Sequence, residues 1–115
     1  MLAIGLTEIN LTHQGPAMAN QQLFLGIDCG TQGTKAIILD ALSGQVLGQG
    51  AAAHELISGA NGRREQDTAQ WLDAFTLATR RALLAAQVDG QDILGIGVSG
   101  QQHGLVLLDD QGQVL

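Results

Sequence analysis

Residues 26–40 have the sequence GIDCGTQGTKAIILD, and this stretch decides the fold. The apolar run at 23–28 ends in a carboxylate, a turn of Gly and Thr follows at 30–33, and residues 34–40 form a second apolar and β-branched run. This pattern predicts two strands joined as a hairpin. Backbone N–H groups that converge in such a turn form a concavity suited to phosphate, and an adjacent carboxylate can hold Mg2+ or its bound water. The candidate residues are Asp28, Gly30, Thr31, Gly33, Thr34 and Lys35.

Two better-known phosphate-binding loops do not match this stretch. The spacing is not G-x-x-x-x-G-K-[ST], and the segment after the glycines is strand-like, whereas that loop and the dinucleotide fingerprint both lead into a helix. An ordinary hairpin, in which Asp28 caps a turn and Lys35 lies on a solvent-facing strand edge, is the alternative interpretation.

The elements around the hairpin predict an α/β domain. Residues 45–52 form a third strand, 58–66 a loop, and Asp67 is an N-cap with Gln70 in capping-box spacing. The helix that follows has one apolar face and ends at Asp89-Gly90, where glycine suits the C′ position. Strands are predicted at 93–99 and 105–108, followed by a turn and an incomplete strand at 113–115. The predicted order is βββαβ plus part of a hairpin, and we expect the chain to be the front part of a longer protein.

Two further motifs point to a family. Residues 94–115, LGIGVSGQQHGLVLLDDQGQVL, and residues 64–74, REQDTAQWLDA, resemble stretches of the FGGY carbohydrate kinases, most closely those of the xylulokinase branch. The hairpin at 26–40 resembles the first phosphate hairpin of the actin-like ATPase superfamily, to which these kinases belong. The resemblance runs from about residue 23 to residue 115.

The resemblance implies an incomplete N-terminal domain of the actin-like, RNase H-like type, with a mixed sheet. It also implies transfer of the γ-phosphoryl group of MgATP to a sugar, most closely the pentulose D-xylulose. Asp28 then organises Mg2+ and phosphate through water, and Gln102 and His103 contact the sugar. The general-base aspartate of the family lies beyond residue 115, so we expect the 115-residue chain alone to be inactive.

Other interpretations stay open beside this one. In one of them the chain is an inactive truncated product, and in the other it is an FGGY kinase that acts on another sugar, sugar alcohol or sugar acid. From the residues alone, His103 is equally well a solvated turn residue, and Trp71 is a core residue more readily than a ligand.

Composition and charge limit the partners and the cellular location that we expect for the chain. Eleven acidic residues against five Lys and Arg give a net charge of −6, and the cations form no stripe, which disfavours nucleic acid as a partner. No apolar stretch is long enough to span a membrane, and the single cysteine, Cys29, fits a reducing compartment, so we expect a cytoplasmic protein. Residues 1–22 are predicted to be a disordered extension and 23–115 the partial domain. The oligomeric state is not predicted.

Overall fold

The computed structural model describes residues 20–115. Six strands and one long helix make up the fold, with single 3-10 turns at Ala60–Gly62 and Gly90–Asp92. The elements are β1 (Leu23–Cys29), β2 (Gly33–Asp40), β3 (Gln45–Ala53), β4 (Ile57–Ser58), β5 (Arg64–Glu65), α1 (Thr68–Ala86) and β6 (Ile93–Gly100). The three predicted strands before the helix are thus confirmed. The predicted loop at 58–66 contains the short hairpin of β4 and β5.

Four strands form a mixed sheet in the order β3-β2-β1-β6. β2 is antiparallel to both β1 and β3, whereas β6 returns through α1 and pairs parallel to β1. The mixed sheet predicted from the sequence is therefore confirmed. Because β1 is central, Asp28 lies opposite Lys35 on β2 and Ser99 on β6.

Helix α1 begins as predicted, although its capping differs in detail. The Asp67 carboxylate accepts from the backbone N–H of Ala69 at 2.9 Å. The expected reciprocal bond from Gln70 is wrong, because the Gln70 side-chain oxygen accepts from the backbone N–H of Glu55 instead. That bond ties the start of α1 to the segment that follows β3.

The predicted C-terminus of the helix is also wrong. The helix ends at Ala86, and Gln87, at φ 58°, adopts the left-handed conformation that the sequence assigned to Gly90. The N–H of Gln87 bonds back to the last turn, and Val88 N–H donates to the carbonyl of Leu83. These bonds satisfy the terminal carbonyls before the chain reaches Gly90, which opens a 3-10 turn.

The core lies between α1 and one face of the sheet. α1 packs on β3 and β2 and only marginally on β1. The apolar residues buried in this layer are Leu23, Leu25, Ile27, Ala36, Ile38, Ala52, Ala74, Ala78, Ala82 and Leu83. β6 lies beyond the reach of the helix, so Leu94, Ile96 and Val98 remain exposed.

The C-terminal segment does not form the predicted strand at 105–108. Leu108 and Val114 make a single antiparallel bridge, which is too little pairing for a ladder. The predicted turn between them is present, and Asp109 closes it by accepting from the backbone N–H groups of Gln111 and Gln113.

Most of the predicted extension at 1–22 lies outside the described residues. Within the described part, the backbone of Gln22 donates to Asp40 and accepts from Ala41, which fixes the entry to β1. Among residues 20–115 there is no helix whose length and hydropathy would let it cross a membrane.

Candidate functional site

The turn between β1 and β2 is held tightly by its backbone. Gly30 N–H donates to the carbonyl of Gly33 at 2.9 Å. A Cβ on Gly33 would lie 2.8 Å from the carbonyl oxygen of Ala52, and one on Gly30 would lie 3.3 Å from the carbonyl oxygen of Gly33. Gly33 is therefore required by close backbone packing, whereas a side chain at Gly30 would need only a small shift of its neighbour.

Asp28 is presented at the end of β1 with a defined partner. Its carboxylate is exposed, and Oδ1 accepts from the Ser99 hydroxyl at 2.9 Å. The parallel pairing of β1 with β6 brings the two side chains together although 71 positions separate them. Ser99 therefore orients the carboxylate beside the glycine turn.

A first cleft of about 460 Å³, here called the turn cleft, opens over this turn. Its lining consists of Asp28, Gly30, Thr31, Gln32, Gly33, Thr34, Lys35 and the β3 residues Ala51, Ala52 and Ala53. Within residues 20–115 the one ion pair joins Arg63 to Glu65, so Lys35 forms no direct ion pair there, although Asp28 lies opposite it in the same cleft. The predicted phosphate residues are thus brought together around one opening.

Thr34 occupies a different position from the other predicted phosphate residues. Its side chain is 1% exposed, and its hydroxyl is buried on the helix side of the sheet without a hydrogen-bond partner in the described part of the chain. A phosphate in the turn cleft would meet the backbone of Thr34 and not its hydroxyl.

A second cleft of about 590 Å³, the loop cleft, lies between the start of α1 and the segment after β6. Its polar lining includes Thr31, Arg64, Gln66, Gln101 and His103, and its apolar lining includes Leu56, Trp71, Leu105 and Leu115. Thr31 borders both clefts, so they meet at the glycine turn.

The two predicted sugar residues differ in their placement. His103 lines the loop cleft, whereas the neighbouring Gln102 is exposed and is not part of the lining. Trp71 is half-buried and forms part of the wall of this cleft, but it does not belong to the core cluster under α1.

Gln66 connects the walls of the loop cleft. Its side-chain nitrogen donates to the carbonyl of Thr31, and its oxygen accepts from Trp71 Nε1 at 3.1 Å and from Gln101 Nε2 at 2.6 Å. In addition, the backbone N–H of Gln101 donates to the carbonyl of Cys29 at 3.0 Å. The loop after β6 is therefore tied to the glycine turn by a backbone and a side-chain link.

The residues of the turn cleft fit a magnesium-bound phosphate group. Mg2+ is commonly held by one or two carboxylates together with phosphate oxygens and water. Asp28 meets that requirement, and no cluster of three or more His, Cys, Asp or Glu that would hold a metal by itself occurs among residues 20–115. Residues 30–33 line this cleft, so an anion placed in it would meet the backbone of the turn.

Comparison with known proteins decides the family. The model of the FGGY family of carbohydrate kinases, N-terminal domain, matches residues 23–115. The chain belongs to the FGGY carbohydrate kinases. Residues 26–40, 64–74 and 94–115, which carried the resemblance, all lie within the match.

Individual relatives of this FGGY chain are sugar kinases. A xylulose kinase of Haemophilus influenzae is 50% identical over 97 residues, which cover 81% of this chain and 20% of that protein. A crystal structure of a xyloylose kinase from Brucella ovis superimposes with a TM-score of 0.74 at 35% identity, over 81% of this chain and 19% of that one. A crystal structure of a gluconate kinase from Lactobacillus acidophilus superimposes with a TM-score of 0.71 at 27% identity, over 84% of this chain and 19% of that one.

These likenesses confirm the predicted fold class. The solved FGGY sugar kinases have the actin-like ATPase fold, and the mixed sheet with its crossover helix is the part of that fold found in this chain. The chain spans about a fifth of the length of the curated relatives it matches.

Sequence reasoning missed three polar residues of the site. Ser99, Gln101 and Gln66 acquire their partners through the parallel return of β6 and the packing of α1. Ser99 and Gln101 flank Gly100 in the motif at 94–115, and Gln66 lies in the motif at 64–74. The motifs therefore contained all three residues without showing their roles.

Proposed function

We propose that residues 20–115 supply the first phosphate-binding turn and part of the sugar site of an ATP-dependent pentulose kinase. The observation that carries the proposal is the meeting of the two clefts at Thr31. Phosphoryl transfer depends on holding donor and acceptor together, and adjoining clefts for a phosphate and a polyol meet that need.

The turn cleft is the site we assign to the phosphates of ATP. When bound there, MgATP supplies the phosphoryl group and the cation that neutralises its charge. The backbone of residues 30–33 and the Lys35 ammonium bind the phosphate oxygens, and Asp28, oriented by Ser99, holds the hydrated cation.

The loop cleft is the site we assign to the sugar. His103 donates to or accepts from a sugar hydroxyl, Trp71 offers an apolar wall, and Gln102 belongs to the same assignment at the rim. D-Xylulose is the proposed substrate, because the relatives at 50% and 41% identity are named xylulose kinases. The gluconate kinase among the structural neighbours makes a sugar acid the second candidate.

A cytoplasmic location completes the proposal. MgATP is a cytoplasmic substrate, and Cys29 is a free thiol, as expected in a reducing compartment.

A chimera tests the proposal. Residues 20–115 replace the matching segment of the Haemophilus influenzae xylulose kinase, and ADP release is measured with D-xylulose, D-gluconate and glycerol. We expect turnover with D-xylulose at a kcat/KM within about tenfold of the unmodified Haemophilus enzyme, because the site residues are retained. A preference for gluconate would transfer the assignment to the second candidate. A folded chimera that hydrolyses no ATP with any of the three compounds would contradict the proposal.

A further inference from the structure

Gln66 makes contacts in the site that neither the motifs nor the proposed function explains. It lies between β5 and the N-cap of α1 and is partly buried. Its single amide group reaches three groups that belong to separate segments: the Thr31 carbonyl, the Trp71 indole and the Gln101 amide. Thr31 and Gln101 are each 35 positions away from it in the chain.

The chemistry of the partners fixes the orientation of the amide. An indole N–H can only donate, so it requires the oxygen of Gln66. A backbone carbonyl can only accept, so it requires the nitrogen. Trp71 and Thr31 therefore demand the same orientation, and Gln101 must approach with its own nitrogen. No other polar side chain of this length supplies one donor and two accepting positions in that arrangement.

The three partners lie on both sides of the junction between the clefts. Thr31 belongs to the glycine turn, Gln101 immediately precedes Gln102 and His103, and Trp71 forms the wall of the loop cleft. A displacement of the Gln66 amide would therefore move the Thr31 carbonyl of the glycine turn together with the loop that carries Gln101 and His103.

We propose that Gln66 is a positioning residue that sets the distance between the phosphate-binding turn and the sugar-binding loop. The inference rests on the proposed kinase function and adds a specific role to it. Gln66 lines the loop cleft, but its amide oxygen is already engaged by Trp71 and Gln101, so we assign it a positioning role and not a catalytic one. It acts through Thr31 on the ATP side and through Gln101 on the sugar side.

Two variants in the chimera separate these actions. Gln66→Glu has nearly the same shape and keeps two accepting oxygens for Trp71 and Gln101, but it cannot donate to Thr31. Gln66→Met has a similar length and keeps none of the three bonds. Gln70→Met is the matched control, because Gln70 also bonds one backbone group across segments but lies outside both clefts.

The expected result is a difference between substrates. Gln66→Glu raises the KM for MgATP or lowers kcat by roughly tenfold, while the KM for D-xylulose stays within about threefold. Gln66→Met impairs both substrates by roughly tenfold or more. Gln70→Met shifts the thermal unfolding midpoint to a similar extent as Gln66→Met but leaves both KM values and kcat within about twofold.

Contrary results are equally specific. If Gln66→Glu retains wild-type constants, or loses sugar and MgATP affinity equally, the coupling role of Gln66 is wrong although the kinase assignment stands. The same conclusion follows if Gln70→Met reproduces the kinetic losses. A folded, unsubstituted chimera without kinase activity overturns the proposed function and this inference with it.

Discussion

Asp28 lines the turn cleft, His103 lines the loop cleft, and Thr31 borders both. Asp28 is charged, exposed and oriented by Ser99, so its proposed effect is electrostatic. His103 lies in a cleft lined by Trp71 and several apolar residues, so its proposed effect is recognition of a hydroxyl group. The two residues should therefore fail in different ways when they are replaced.

Replacing Asp28 by Asn should lower kcat of the chimera by roughly 100-fold or more, because the change removes the charge that holds the cation and nearly preserves the shape. The KM for D-xylulose should change little. Asp73→Asn on the exposed surface of α1 is the matched control and should have no effect. Steady-state kinetics at saturating MgATP provide the measurement, and an unaltered kcat would remove Asp28 from the phosphate site.

Replacing His103 by Ala should lower kcat/KM for D-xylulose by roughly 10- to 100-fold, because a sugar hydroxyl then loses its partner. The KM for MgATP should be unchanged. Gln102→Ala is the comparison and should have a smaller effect, since Gln102 lies outside the cleft lining. Equal losses for sugar and MgATP would indicate a folding defect in place of a binding role.

At the residue scale, the sequence proposed site residues where a motif carried the information, and their roles stay predictions. The turn glycines and Asp28 were proposed from residue type and spacing and His103 from the family resemblance; the structure places the glycines and Asp28 at the turn cleft and His103 at the loop cleft. The roles of Ser99 and Gln66 could not be predicted, because each depends on a contact between segments that only the folded topology brings together.

At the scale of elements, the contact between α1 and β3 depends on two glycines. A Cβ on Gly48 or Gly50 would overlap backbone atoms of α1 near Ala86 and Ala78. The helix therefore lies directly on the strand, and this close contact keeps β3 and the neighbouring Ala52, which supports the glycine turn, in place.

Gly50→Ala in the chimera should destabilise the fold by about 1–3 kcal/mol, the range for overpacking a tight contact. Gly97→Ala is the matched control. It places a methyl group on β6 where no heavy atom of the described residues 20–115 lies within 4 Å, so it should be nearly neutral. Thermal unfolding of both variants checks the difference, and equal midpoints would show that α1 does not pack closely on β3.

A pH effect is expected at the start and end of the hairpin. The Ser43 hydroxyl and the backbone N–H groups of Gln22 and Leu42 donate to the Asp40 carboxylate and lower its pKa. Because these hydrogen bonds favour the ionised form of Asp40 in the folded state, Asp40 contributes fully to stability above its unfolded pKa of about 4. This contribution is lost as the pH falls through the lower pKa that Asp40 has in the folded state.

The thermal midpoints of the chimera and its Asp40→Asn variant should therefore differ most above about pH 5 and converge below about pH 4. Scans between about pH 3 and 8 provide the measurement. A difference that is independent of pH would show that the carboxylate charge does not contribute.

Element-scale prediction was accurate for the strands of the main sheet and less so for the end of the helix and for the C-terminal segment. The hydrophobic runs of β1, β2 and β3 and the Asp67 N-cap were confirmed because they are local signals. The end of α1 was misplaced because Gln87 adopts a left-handed conformation that its type does not favour. The strand at 105–108 was wrong because the segment pairs with 113–115 only around the single bridge of Leu108 and Val114.

At the scale of the whole fold, the one helix found within residues 20–115 covers only part of one face of the sheet. α1 protects β3 and β2, while the edge strand β6 exposes Leu94, Ile96 and Val98. An edge strand with an exposed apolar side favours association with other chains.

The purified 115-residue chain should therefore associate, and it should release no ADP in response to D-xylulose. Its segment matches about a fifth of the relatives' length, and phosphoryl transfer needs the whole cleft assembled around the phosphate. Light scattering after size exclusion checks the first expectation, and a coupled ADP assay checks the second. A monomer with cooperative thermal unfolding would be evidence against association.

The most direct test of the central claim is a crystal structure of the chimera with D-xylulose and a non-hydrolysable ATP analogue. The measurement is the distance from each ligand to the two clefts. We predict phosphate oxygens within about 3.2 Å of backbone N–H groups at residues 30–33, and a sugar hydroxyl within about 3.2 Å of the His103 imidazole. A sugar bound outside the loop cleft, or phosphates bound away from the glycine turn, would contradict the account.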